Sequence, residues 1–296
     1  MSELTAQPGA FHETRTHSEE TRRLKIIRPP SFSPLGLLRG IVDLWAYRDL
    51  LYTLSEHRIK VRYKQSVLGI AWAILQPLSL MLIYTLVFGV VARVPTQGIP
   101  YPVSAFSGLL IWSLFSTALT NSTNGLVSHA HLVTKVYFPR EILPLTYVVA
   151  ALFDFAIAST VLLGLMLYYH VPLTLNVLYA VPIVVVLTCF AISMSLIFSA
   201  LQVRFRDVGV AMPLLLQLWM FATPVVYPLS AVPARFHTLF LFNPMSGVVE
   251  NFRQVMLQGT PPDLQTLAIS ATISIALLPI AYVFFKHVEA TVADVI

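Results

Sequence analysis

A chain of 296 residues could build one or two soluble domains, yet only 11% of these residues are charged and 56% are hydrophobic, against the roughly one-quarter charge of a soluble domain. The uncharged runs match the roughly 20 residues needed to cross hydrocarbon, which excludes an ordinary globular fold and makes the bilayer the solvent. The net charge of +5 does not point to nucleic acid, because the basic residues flank the apolar runs, where they orient a membrane protein.

Residues 1–32 are polar, with mixed charges and no apolar core, so they do not read as a cleavable signal peptide. They predict a mobile cytoplasmic tail ending near Pro29 and Pro30. HETRTH within it superficially resembles a zinc helix, but His12 and His17 are five apart and do not share a helix face as residues four apart do. No metal site is expected. Residues 33–66 predict an amphipathic interface helix: Leu35, Leu38, Ile41, Val42, Trp45, Leu50, Leu51 and Leu54 recur at helical spacing among charged residues. Arg58, Lys60, Arg62 and Lys64 close it, either as a basic anchor at the headgroups or as a docking element for a partner.

Residues 67–296 predict an all-α membrane domain of six transmembrane helices, at about 67–92, 101–127, 142–169, 175–202, 210–227 and 264–285. Lys and Arg number eleven before the first span, two in each of the second and fourth loops and one in the tail, against Arg93, Arg235 and Arg253 on the other side. This asymmetry predicts that both termini are cytoplasmic. The stretch 228–263 is long for a connection and carries two moderately apolar pieces broken at Asn243 and Pro244. Re-entrant helices between spans 5 and 6 fit it, as does a plain external loop; neither piece is long enough to span.

No glycine is followed by lysine, so the phosphate-cradling loop of an ATPase is absent. The single cysteine, Cys189, allows neither an intramolecular disulfide nor a cysteine metal site. Asp154 is the one acid deep in a span, about 18 Å along the third helix, where a lone carboxylate is costly. It reads either as polar lining or helix-linking contact, or as a structural hydrogen bond to a neighbouring Ser, Thr or Tyr. Tyr84, Phe88, Phe106, Trp112, Phe115, Trp219, Phe221 and Tyr227 fall toward the outer halves of their spans. They serve as interfacial belt and packing, or some line a wide pore and stack on sugar rings; the candidates for lining are Tyr84, Phe88, Trp112, Phe115, Asp154, Trp219 and Phe221.

The segments between the spans are more specific. VTKVYFPREILPL, from Val133 to Leu145, resembles the first cytoplasmic loop of permease subunits of type-2 ABC exporters of lipid-linked polysaccharides such as O-antigen, capsule and teichoic acid. RYKQSVLGIAWAILQPL, RFRD, and the series TPVVYPLSAVP, LFNP and NFRQVMLQG agree in order and spacing, and the resemblance covers about Tyr52 to Ile296. It implies a homodimeric permease resting on two copies of a separate ABC ATPase that holds ATP and Mg, with no cofactor in this chain and no catalysis of its own. It places Lys135, Val136, Tyr137, Phe138, Pro139, Arg140 and Glu141 in or beside the helix that sits in the ATPase cleft, and Arg204, Arg206 and Asp207 in the second cytoplasmic turn.

The expectation is therefore export of a lipid-linked polysaccharide across a bacterial inner membrane through a homodimeric channel, with membrane lipids but no nucleic acid as further partners. The alternatives are a type-2 exporter of a drug or small lipid and, from another class, a membrane-embedded glycosyl- or acyltransferase. The latter should show a cluster of acids or His at a membrane face, and the sequence has none.

Overall fold

A computed structural model describes residues 40, 42, 44–64, 68–96, 98–136 and 138–295, the side chains of 133, 134, 234 and 290–295 excepted. The predicted tail, most of the first half of the interface helix, and Tyr137 lie outside the described residues. Within them every regular element is helical.

Helix α1 (Arg48–Lys64) leads to α2 (Ala71–Tyr84), which holds Pro77 and continues into a π-helical turn at Thr85–Val91. Proline inside a helix removes a backbone hydrogen bond, and π-turns widen the ladder, so irregular winding here follows from composition. Helix α3 (Tyr101–Thr123) starts with Pro102 in its first turn, where the missing N–H costs nothing. A single turn and the short α4 (Ala130–Lys135) then lead to α5 (Ile142–Tyr168). His170 turns the chain in a left-handed conformation, and a short 3₁₀ segment opens α6 (Ala180–Arg204).

Among the described residues five helical stretches are long and apolar enough to cross a membrane: 71–91, 101–123, 142–168, 175–204 and 264–289. The sixth expected crossing is shorter. Helix α7 (Asp207–Phe221) has 15 residues, about 22 Å at 1.5 Å per residue, against roughly 30 Å of hydrocarbon. Residues 222–227, which the hydropathy pattern joins to it, form turns instead. Helix α8 (Pro244–Arg253) and a π-turn to Gln258 follow, and α9 (Leu264–Val295) closes the fold.

The core centres on α3, which packs against α2, α5, α6, α7 and α8. Its small residues permit close approach: a Cβ on Gly108 would stand 2.1 Å from the Val225 carbonyl oxygen. Helix α9 runs against α6, and α8 is wedged among α3, α6 and α9 with Met245, Val248, Val249 and Phe252 buried. Its start is fixed by Asn243, whose Oδ1 accepts from the Met245 N–H at 3.2 Å and from Trp219 Nε1 at 3.3 Å, while its amide donates to Thr223 Oγ1 at 2.9 Å. Helix α8 is thus folded into the helix bundle, while the described residues between 229 and 243 lie mostly exposed.

Candidate functional site

Between Val103 and Thr123 of α3, the residues that are not buried are Ser113, Ser116, Thr117, Thr120 and Asn121. Their spacing of three, one, three and one puts them on one face of a helix, and all five line a cleft of about 540 Å³. That size lies within the usual range of ligand sites. Trp72, Gln76 and Pro77 of α2 form one wall, Asp154 and Phe155 of α5 another, and Arg62 and Tyr63 of α1 close one end. Ser113 and Ser116 spend their hydroxyl protons on backbone carbonyls, at 2.9 and 3.4 Å. Thr117, Thr120 and Asn121 have no side-chain partner among the described residues. In hydrocarbon such groups would carry a desolvation cost; here they present a ladder of hydroxyl and amide groups to the space beside them.

Asp154 is not alone. Arg62 and Tyr63 both hydrogen-bond its carboxylate, one to each oxygen. Arg58, one turn earlier, lies 3.5 Å over the Tyr147 ring and donates from Nε to Thr146 Oγ1 at 2.5 Å. The basic end of α1 is therefore bound along the first turns of α5, and Asp154 acts at once as helix-linking contact and as cleft lining. Burial, followed by the bond to Asp154, pushes the Tyr63 phenol up to about 12.

Of the aromatic candidates, Trp112 reaches the cleft. Phe115 does not: it is fully buried, stacked on Phe190 at 5.4 Å and meeting Trp219 edge-on at 5.1 Å. This aromatic cluster packs the centre of the bundle. Tyr84 and Phe88 pack against the main core from α2, Tyr84 with its hydroxyl 3.9 Å from Met220 Sδ. Phe106 is buried in the same core, while Phe221 is half exposed at the end of α7. The serine, threonine and asparagine stripe, absent from the sequence-based candidates, was legible as i, i+3, i+4, i+7, i+8 polar spacing within an apolar run.

The opposite charged cluster sits where the 135–141 loop meets α9. Phe138 is buried with Leu126, Ile142, Leu143, Ala281 and Phe285, anchoring the loop. Glu141, 1% exposed, binds Lys286 Nζ at 2.6 Å, and Lys286 also reaches Glu289 at 2.7 Å. Arg140 donates from its backbone N–H to Glu289 Oε1 at 3.3 Å and from Nη1 to the Glu289 carbonyl at 2.8 Å. Burial pushes the Glu141 carboxyl up, opposed by Lys286. Lys135 and Val136 stay exposed. The second turn exposes Arg204, Phe205, Arg206 and Asp207 and is pinned from behind. Gln202 accepts from the Gly209 N–H at 2.5 Å and donates to Asn124 Oδ1 at 3.2 Å, tying the α6–α7 turn to the end of α3.

A bundle with five span-length apolar helices among the described residues, a polar cleft beside its central helix and two exposed turns braced at one end defines a multi-pass membrane protein. Among the described residues no group of His, Cys, Asp and Glu could hold a metal ion. The chain belongs to the ABC-2 type transporter family, which it matches over residues 49–257. It is 37% identical over 255 residues to the O-antigen export system permease protein RfbA of Myxococcus xanthus, covering 84% of this chain and 96% of that one. A protein of the same name from Klebsiella pneumoniae is 30% identical over 212 residues, 71% of this chain and 81% of the relative. The polysialic acid transport protein KpsM of Escherichia coli is 26% identical over 214 residues, 70% and 80% of the two chains.

Proposed function

We propose that this chain is the membrane permease of an ATP-driven exporter that moves a lipid-linked polysaccharide across a bacterial inner membrane. The observation that carries the reading is the stripe of Ser113, Ser116, Thr117, Thr120 and Asn121 facing a cleft of about 540 Å³. A row of hydroxyl and amide groups can exchange hydrogen bonds with a hydroxyl-rich chain in any register, and Trp112 beside it offers an aromatic face to C–H surfaces of sugar rings. The names of the relatives, which speak of O-antigen export and polysialic acid transport, agree with that chemistry.

Two copies would form the channel, with the mostly exposed apolar α2 and α7 turned to lipid or to the second copy. Residues 222–227 would complete the crossing begun by α7, giving six crossings and both termini in the cytoplasm. Each copy would rest on a separate ATPase holding ATP and Mg. Lys135, Val136, Arg204 and Arg206 face out for it, while the clasp of Arg140 and Glu141 on Lys286 and Glu289 carries displacement of the loop into α9. The test is ATP-dependent glycan export in vesicles holding permease and ATPase. Replacing Thr117 and Thr120 by Val, which keeps shape and removes the hydroxyls, should cut export about tenfold at unchanged expression, if each hydroxyl contributes about 0.5–1 kcal/mol to passage. Unchanged export would overturn the cleft as the path.

A further inference from the structure

A second, smaller chamber of about 220 Å³ lies at the far end of the molecule from the Glu141 clasp, between residues 229–241, α8 and the start of α9. Ser246 and Glu250 of α8 and Gln254 at the start of the π-turn that continues it line the chamber at four-residue intervals, a polar edge whose opposite face is buried in the core. His237, Phe240 and Asp263 face them.

The hydrogen-bond inventory of this chamber is lopsided. Ser246 is 3% exposed, and its hydroxyl has no partner among the described residues. A buried hydroxyl without a partner is disfavoured, so the chamber has a place prepared for one more polar group. Glu250 gives one oxygen to Arg253 at 2.9 Å and keeps the other uncommitted. Asp263 accepts at Oδ1 from the Gln265 N–H at 3.0 Å, and Gln254 accepts from the Asp263 N–H at 3.3 Å, leaving its own amide protons available. His237 binds the Val232 carbonyl through Nε2 at 2.9 Å, so that nitrogen carries the proton and Nδ1 can accept. Arg253 offers no positive charge here: its Nη2 is turned to the carbonyls of Pro224 and Val225, at 3.1 and 3.0 Å.

Acceptors therefore outnumber donors, and no lysine or arginine is among the described lining residues, which disfavours phosphates and uronic acids and suits a ligand that brings O–H or N–H donors. Phe240, with Leu229 and Leu241, gives the chamber one apolar wall. A ring with a C–H face and a rim of hydroxyls matches both halves, and the volume holds one such ring, not a chain. We propose that this chamber is a saccharide subsite binding a single neutral or amino sugar unit. The inference deepens the exporter reading and rests on it for biological meaning, although binding itself can be measured without transport.

The experiment uses the full chain in lipid nanodiscs. Saturation-transfer NMR is recorded with glucose, glucosamine and glucuronate, each also in competition with Mg²⁺ and Ca²⁺, for the wild type and for Ser246→Val and Gln254→Leu. Glucose or glucosamine should bind, glucuronate should bind at least about tenfold more weakly, and each substitution should weaken the neutral sugar about fivefold to tenfold, the loss of one hydrogen bond. Thermal unfolding is followed in parallel, because Ser246→Val removes the unpartnered hydroxyl and should leave the melting temperature equal or raised. Lost sugar binding in a protein that is no less stable supports the subsite. No sugar signal in the wild type, equal signals in the variants, or displacement of nothing but a bound divalent cation would overturn it. Export that still depends on Thr117 and Thr120 in that case would leave the exporter reading standing.

Discussion

Helices α2 and α3 are neighbours, and they reverse the rule that holds in water. The stretch 71–91 is strongly apolar, yet only 11% of its most apolar 18 residues are buried; in 101–123, the least apolar of the five span-length helices, 78% of the corresponding 18 are buried. In a bilayer the lipid tails are as apolar as leucine, so apolarity by itself brings no helix inward. What brings α3 to the centre is its small residues, which let other backbones come close, and its polar groups, which need partners or a wet cleft. Helix α2 and the π-helical turn that continues it keep Leu82, Ile83, Leu86, Val90 and Val91 outside, a surface for lipid or for another copy of the chain.

The largest effect should come from the wedge against α3. Arg253→Ala would leave Glu250 and the carbonyls of Pro224 and Val225 without their donor, and removing one member of a buried pair costs about 3–5 kcal/mol in thermal or denaturant unfolding in detergent. Lys286→Met should cost about 3 kcal/mol for the same reason at Glu141. The double variant Glu141→Gln, Lys286→Met should recover a good part of that loss, because Glu289, the other partner of Lys286, keeps the Arg140 N–H and reaches solvent; failure to recover would mean that Glu141 and Lys286 are not energetically coupled. Next comes Gly108→Ala, whose added Cβ would press on the Val225 carbonyl and cost about 1–3 kcal/mol, whereas Gly164→Ala on α5, with open space around it, should cost nothing measurable. Leu86→Ala on α2 should change stability by less than about 0.5 kcal/mol, so a large loss there would show that α2 is packed against protein.

The smallest effect is spectroscopic. With the folded Tyr63 phenol raised to about 12 from an ordinary 10, its contribution to stability is full below pH 10 and is lost as the pH rises through 12. Ultraviolet titration of the wild type against Tyr63→Phe should assign one of the tyrosines ionising near pH 12 to Tyr63, and Asp154→Asn should move that one down. An unmoved titration would detach Tyr63 from Asp154.

Much of this is legible in the sequence. The long apolar runs, the turn at RFRD and the break at Asn243 and Pro244 follow from composition and spacing, and the 133–145 loop carries the resemblance to type-2 ABC permeases. The aromatic candidates were less so. Phe115 and Trp112 are three residues apart on one helix, but only the packing of Phe190 and Trp219 decides that Phe115 is sealed in the core while Trp112 meets the cleft. Asp154 read as an isolated acid because its partners, Arg62 and Tyr63, lie more than 90 residues earlier.

The sequence by itself determined the solvent and the element types: a chain this apolar must satisfy its backbone within helices, and its loop motifs place it among permeases. The placement of lysine and arginine further predicts which loops share a side of the membrane. Tertiary structure alone decided which polar residues meet. The clasp of Glu141 with Lys286, the tie from Arg62 to Asp154 and the wedge of Arg253 under the end of α7 join residues from distant parts of the chain or through folded-back turns. Local periodicity fixes which face a residue occupies, but only the packing of helices fixes what that face meets.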